Sequence, residues 1–226
     1  MRIFPLLFIF SIISAQWSSE SAHLLEKNRK EIGLLSPYKI ALNNGSEIGV
    51  NKFLLMPSIY VKQEMSMYNS WKMARKFRTE YPTPGLKWIQ SPLGKEMGDP
   101  NMFSLISSQF SIPQMFSFYV ELIGSKGSLE SGQLSLNGGV GVALNGKKLS
   151  NDATIDLPVI YPRLSVYYND FVIKTGGEYA RHLRNRLNYI IDYEMYLMPG
   201  NGGRYAFEQQ SVLVWQKSNT LNLSFG

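Results

Sequence analysis

The chain has 226 residues, of which 44% are hydrophobic, 13% aromatic and only 18% charged, and it contains no cysteine. This length and apolar content can build a buried core, while the absence of Cys excludes disulfides, thiolate catalysis and thiolate-bound metals. The net charge of +6 is spread along the chain, so nucleic-acid binding is not predicted. The two histidines, His23 and His182, are too far apart in sequence to suggest a metal site, and we expect no metal and no cofactor.

The N-terminus has the pattern of a secretory signal peptide. A positive charge precedes the run 3–13, which is apolar apart from one serine, and Ser14-Ala15 supplies the small residues expected before cleavage. A membrane anchor is the alternative, but this run is shorter than the roughly 20 residues that a spanning helix needs. The predicted organisation is a signal peptide over 1–15, an N-terminal extension over 16–30 and one β-barrel domain over 31–226.

After about residue 30 the hydrophobic pattern has a period of two, which is typical of strands. In 132–145 the even positions carry Leu, Val and two Gly, whereas the odd positions carry Gln, Ser, Asn, Gly and Ala. Turn-forming sequences such as Asn43-Asn44-Gly45, Ser125-Lys126-Gly127 and Thr175-Gly176-Gly177 separate these runs, as in an antiparallel meander. The predicted strands are 31–42, 46–63, 71–79, 102–112, 115–124, 132–145, 162–174, 177–186, 187–198, 204–217 and 219–226, with longer loops over 85–101 and 146–162.

Three features favour a membrane barrel over a soluble one. Several predicted strands reach the 9–11 residues that cross a bilayer, aromatic residues gather near strand ends, and the face opposite the apolar one is often small and uncharged. We therefore predict an all-β, antiparallel up-and-down barrel of about 10–12 strands, of the transmembrane outer-membrane type. The alternative is an exported soluble barrel of lipocalin type, in which the apolar face lines a cavity that binds an apolar ligand.

Five segments carry a family pattern: 31–42 (EIGLLSPYKIAL), 43–50 (NNGSEIGV), 55–62 (LMPSIYVK), 156–163 (DLPVIYPR) and the hairpin 193–226. With these segments the chain resembles uncharacterised outer-membrane β-barrel proteins of Gram-negative bacteria. The resemblance implies an outer-membrane location, contact with membrane lipids and with the barrel-assembly machinery, and no assigned activity.

The C-terminus departs from this family pattern. Outer-membrane barrels of bacteria usually end in an aromatic residue, whereas here Phe225 is followed by Gly226. Either the penultimate Phe serves as the assembly signal, or the chain stops before its last strands. The function expected from pattern and resemblance together is a structural barrel or a narrow, porin-like passive channel for small solutes, without catalytic activity.

Charged residues on the polar faces of strands are candidates for the barrel lumen. Asp192 and Glu194 share a face, which allows acid–base chemistry or cation binding, but an ion-pair network with Arg184 and Arg186 across the adjacent turn is favoured. The complete candidate set is Lys72, Lys76, Arg78, Glu121, Arg184, Arg186, Asp192 and Glu194.

The segment 71–78 concentrates positive charge. If it is a strand, three of its cationic side chains point into the lumen and could favour the passage of anions, although Arg75 would then face lipid. A basic surface segment near anionic headgroups, or a short helix, are the alternatives.

A minority alternative is an outer-membrane hydrolase that uses His182 with Asp192 or Glu194. The sequence contains no Gly-x-Ser-x-Gly motif and no Asn-His-Ser grouping of the kind found in outer-membrane phospholipases, so we predict that the chain is not an enzyme.

Overall fold

The computed structural model describes residues 20–32, 37–51, 56–90, 111–144, 160–184, 186–199, 204–216 and 222–225. These residues form one antiparallel sheet in which every strand pairs with its neighbours in sequence, from β1 to β11. The strands are β1 Lys30–Glu31, β2 Tyr38–Leu42, β3 Ser46–Asn51, β4 Ser58–Tyr68, β5 Trp71–Glu80, β6 Ser117–Ser128, β7 Gly132–Ala143, β8 Phe171–Arg184, β9 Leu187–Met198, β10 Arg204–Gln216 and β11 Asn222–Phe225. The helices are α1 Thr83–Gln90, α2 Ile160–Arg163 and α3 Ser165–Asn169.

The prediction of a mostly β chain folded as an antiparallel meander is confirmed. Strand ends were predicted best where the apolar–polar alternation continues over a whole strand. The predicted ends agree to within two residues for β5, β7, β9 and β10. The basic segment 71–78 is part of strand β5, so the short-helix alternative for it is wrong. Among the residues described, no helix has the length and apolar character needed to cross a membrane.

The predicted turn at Thr175-Gly176-Gly177 is wrong, because β8 runs through it without interruption. Gly176 pairs with Asn137 on one side and Glu194 on the other. A Cβ at Gly176 would lie 2.5 Å from the carbonyl oxygen of Tyr193, so this glycine allows a close approach of backbones within a strand.

Five other predicted elements also need correction. The predicted strand 31–42 contains parts of two antiparallel strands, β1 and β2, and the predicted strand 46–63 is β3 and β4. The predicted strand 162–174 is helical as far as Asn169. β6 continues beyond the predicted turn 125–127 to Ser128. Part of the predicted loop 85–101 is helix α1, which begins at Thr83-Pro84, since proline is tolerated in the first turn of a helix. Most of the predicted strand 102–112, like the predicted signal peptide 1–15, lies outside the described residues.

The connections differ between the two ends of the sheet. At the short-turn end, residues 43–45, 69–70 and 129–131 join consecutive strands, and the connection from Arg184 to Leu187 is equally short. Positive φ angles at Gly45, Asn69 and Ser70 permit tight reversals. At the opposite, long-connection end, the segments between β5 and β6 and between β7 and β8 are much longer and contain the three helices.

An apolar cluster covers the inside of the long-connection end. Helices α1 and α3, Leu164 before α3 and the segment before β6 contribute side chains that pack against the inward ends of β6, β8, β9 and β10. Tyr167 is 2% exposed, and its hydroxyl donates a hydrogen bond of 2.8 Å to Ser117 Oγ. The cluster consists of Met56, Leu86, Ile112, Met115, Tyr119, Leu164, Val166, Tyr167, Tyr168, Val172, Tyr196, Met198 and Ala206, and we call it the cap.

Candidate functional site

In a soluble domain the apolar face of a sheet is buried and the polar face is exposed, whereas in this sheet the apolar face is exposed and the polar face is buried. Leu122, Leu136 and Val140 are 52%, 49% and 50% exposed, whereas Glu121 and Lys174 are each 1% exposed. Polar and charged side chains thus point to a shared interior, which we call the inner wall, and apolar side chains point outward. Strand residues buried on the inner wall include Glu47, Lys62, Lys76, Ser117, Glu121, Ser125, Ser135, Asn137, Lys174, Glu178, Asn188, Asp192, Glu194 and Glu208.

The sheet curls so that strands distant in its order face one another. Ser58 and Tyr60 of β4 line the same cavity as Asp192 of β9 and Glu208 and Gln210 of β10. The cavity has a volume of about 50 Å³. That is room for a few water molecules, at about 10–15 Å³ each, and not for a sizeable solute.

The N-terminal segment Glu20–Leu25, which we call the strap, lies along the inner wall. The backbone N–H groups of Glu20, Ala22 and Leu25 donate to Glu178 Oε2 at 2.9 Å, Ser125 Oγ at 2.8 Å and Glu47 Oε2 at 3.0 Å, respectively. The acceptors belong to β8, β6 and β3, so the strap links strands across much of the sheet.

Two lysines of the inner wall, on strands β4 and β5, also bind the strap. Lys62 Nζ donates to the carbonyl oxygens of Ser21 at 3.3 Å and His23 at 2.9 Å. Lys76 Nζ donates to both carboxylate oxygens of Glu20, at 2.8 and 2.9 Å. Most of these contacts are buried, so the strap fills part of the space that the inner wall surrounds.

Lys174 is the centre of the ion-pair network on the inner wall. Its Nζ lies 2.6 Å from Glu194 Oε1, 3.3 Å from Glu121 Oε2 and 4.0 Å from Glu20 Oε1. Burial alone would raise the pKa of Glu20, but Lys76 and Lys174 outweigh burial and hold that pKa well below its ordinary value. Glu20 is therefore ionised at neutral pH and pairs as a full charge.

Three further ion pairs, made by two arginines, extend the network toward the cap. Arg78 lies 3.2 Å from Glu121 Oε1 and 3.3 Å from Glu80 Oε1. On helix α2, Arg163 makes a two-point contact with Glu208, with N–O distances of 2.7 and 3.2 Å. These contacts compensate buried charges that would otherwise be costly.

Gly139 makes the central contact possible. It lies on β7 between Glu121 and Lys174, and because it has no side chain the two charges meet over it. A Cβ there would lie 2.3 Å from the Val120 carbonyl oxygen and 2.8 Å from the Glu121 Cα atom. The neighbouring Gly138 faces outward, and a Cβ there would find nothing closer than 4.0 Å.

We predict that Gly139→Ala lowers the free energy of unfolding by about 1–3 kcal/mol, because the backbone of β6 must move to admit the methyl group. The matched change Gly138→Ala is expected to alter it by less than about 0.5 kcal/mol. Denaturant unfolding of the two variants checks this, and equal effects would show that the inner wall is not packed as closely as described.

Five of the eight predicted lumen charges lie on the inner wall, namely Lys76, Arg78, Glu121, Asp192 and Glu194. Lys72 is partly exposed beside the turn after β4 and pairs with Glu64 at 3.2 Å. Arg184 and Arg186 are exposed at the turn between β8 and β9.

The predicted ion-pair partners of Glu194 are wrong, since its partner is Lys174 and not Arg184 or Arg186. Lys76 and Arg78 are also compensated by carboxylates, so neither leaves a free positive charge for an anion. Arg75 faces outward, as the alternation predicts, and its Nε donates to Gln63 Oε1 at 2.9 Å.

Sequence reasoning missed Lys174, Glu178, Glu208 and the whole strap. Lys174 and Glu178 share a face of β8. Because a turn was predicted at 175–177, the two residues were assigned to different strands and their common face was not recognised. Glu208 lies on β10 at one of the alternate positions that face inward, so the alternation could have identified it. Nothing local in the sequence marks Glu20, since the strap has no regular structure.

His182 does not lie with the carboxylates proposed as its partners. Its Nδ1 is 2.9 Å from Asn188 Oδ1, at the short-turn end. Asp192 is opposite Glu178, four residues further along β8, which corresponds to about 13 Å at the rise of a strand. The described geometry therefore brings no acid–base pair together at His182.

No protein-family model, curated protein or solved structure matches the chain.

Proposed function

We propose that the chain is an outer-membrane β-barrel protein with a structural role, whose lumen is filled by the strap, the ion-pair network and the cap. The observation that carries this proposal is the reversed burial of the sheet, with half-exposed leucine and valine outside and buried lysine and glutamate inside. In water such an outer face would be costly, whereas lipid hydrocarbon solvates it.

Strand length agrees with this proposal. Strands β4 to β10 have 10–14 residues, and 9–11 tilted residues cross a bilayer. Lipid offers no hydrogen bonds, so a spanning sheet has to satisfy its own backbone by closing on itself. The curl that brings β4 and β10 to one cavity favours such closure.

Exposed aromatic residues lie near both ends of the sheet. Tyr68 and Trp215, 69% and 42% exposed, are at the short-turn end, and Tyr205 and Phe171, 69% and 39% exposed, are at the long-connection end. Two such belts are typical of the interfaces on either side of a bilayer. Outer-membrane barrels have short periplasmic turns and long external loops, so we assign the short-turn end to the periplasm.

Passage of solutes is the less favoured role. The cavity of about 50 Å³ is bounded by buried ion pairs, and the cap covers the long-connection end. The exported soluble alternative, with an apolar ligand inside, has no support from an inner wall lined by charges.

Membrane fractionation followed by electrophoresis with and without boiling tests the proposal. We expect recovery in the outer membrane and a compact species that shifts on heating, because closed barrels resist detergent unfolding. Recovery as a soluble periplasmic protein would overturn the proposal. A steady ionic conductance of the purified barrel in planar bilayers would contradict the filled lumen.

A further inference from the structure

The inner wall contacts the strap mainly through the strap's own backbone. Three N–H groups donate to side chains of β3, β6 and β8, and two carbonyl oxygens accept from Lys62 of β4. Any extended peptide presents backbone groups of this kind.

The first three strap residues, Glu20, Ser21 and Ala22, are buried, and Glu20 and Ala22 make side-chain contacts with the wall. The carboxylate of Glu20 accepts two hydrogen bonds from Lys76, and Ala22 is fully buried against Ala74 and Ile123. Space at Ala22 is limited, because all three residues of this cluster are 0% exposed. The wall therefore selects an acidic residue followed, two positions later, by a small one.

The link between the strap and the sheet is exposed. Residues 26–30 lie at the surface, and Asn28 has a φ angle of 65° in a turn. The strap is thus attached to β1 through a surface segment and could leave the wall without breaking any strand pairing.

We propose that the inner wall is a binding site for an extended peptide of the form acidic–x–small, and that the strap is its exchangeable resident. The site satisfies the backbone of its ligand with Glu47, Lys62, Ser125 and Glu178, and Lys76 selects the acidic side chain. This inference goes beyond the proposed function and does not depend on the location of the protein in a membrane.

The absence of native cysteine allows strap release to be followed by thiol labelling. Ala22→Cys reports on the strap, and Val172→Cys, in the cap, reports on unfolding, because both positions are 0% exposed. Each is placed in the otherwise unchanged full chain and in the Glu20→Lys chain, where a cation faces Lys76 and Lys174.

With Glu20→Lys we expect labelling at position 22 to accelerate by at least about 100-fold, because a buried ion pair becomes a repulsion, while position 172 stays protected. Glu20→Gln, which removes the charge without reversing it, should give a smaller acceleration and serves if Glu20→Lys does not fold. Protection at position 22 in both folded variants would overturn the proposal, since the strap would then be a fixed part of the core.

The second measurement adds a fluorescent synthetic peptide with the sequence of residues 20–25. We expect it to bind the Glu20→Lys protein and not the unchanged protein, whose site is occupied, and a peptide that begins with Lys should bind neither. A released strap without peptide binding would overturn the proposal. Both assays are run on protein in which position 172 stays protected and which is therefore folded. A negative result in either assay thus concerns the strap alone, and does not depend on whether fractionation finds the chain in the outer membrane.

Discussion

Replacing Lys174 with Met is expected to lower the free energy of unfolding by about 3–5 kcal/mol, the cost of leaving buried charges without a partner. Lys174 is 1% exposed, and its ammonium group lies within 4.0 Å of three carboxylates, those of Glu20, Glu121 and Glu194. Methionine keeps most of the side-chain volume, so the loss comes from charge and not from a cavity. Denaturant titration of the purified, folded protein measures the change.

A matched control separates this effect from a general loss of lysine. Lys126→Met changes an exposed lysine near the end of strand β6 and should alter stability by less than about 0.5 kcal/mol. The double change Lys174→Met with Glu194→Gln should recover part of the loss, because one uncompensated carboxylate is removed with the cation. Equal stability of the Lys174→Met and Lys126→Met proteins would contradict the ion-pair network.

Placing Arg at Leu136 is the second change with a large expected effect. Leu136 is near the middle of β7, faces outward and is 49% exposed. If the outer face meets lipid, Leu136→Arg should lower stability in lipid vesicles by about 2–4 kcal/mol, the cost of a cation near the bilayer midplane. In a water-soluble protein the same surface change usually costs less than about 0.5 kcal/mol.

The control for Leu136→Arg is Asn44→Arg in the exposed turn between β2 and β3, where the new charge stays in water. Reversible unfolding from vesicles measures both variants. Equal stabilities would argue that the outer face does not meet hydrocarbon, and would favour a sheet whose outer face meets water.

The strands were predictable wherever alternation was long and regular. Leu187–Met198 is the clearest case, because a period of two specifies both the strand and the face on which Asp192 and Glu194 lie. Gly176 shows where this reasoning fails, since a glycine that permits close packing inside a strand has the same local signature as a glycine in a turn.

The candidate site was predictable only in part. The inward position of Lys76, Arg78 and Glu121 follows from strand parity, which is a local property. The identity of their partners does not follow from parity, because Glu121 contacts Lys174, which is two strands away and 53 residues later in sequence. No local pattern can specify a contact that depends on the register of two intervening strand pairs.

The sequence by itself determined the antiparallel meander and which residues share a face, because alternation and turn chemistry act over a few residues. The tertiary structure alone decided that the charged face is the buried one, that Lys174 and not Arg184 pairs with Glu194, and that Glu20–Leu25 fills the space between the strands. The buried charged face and the position of Glu20–Leu25 arise when the sheet curls, since the curl gathers strands distant in sequence around one interior. The Lys174–Glu194 pair instead follows from the register of β8 against β9.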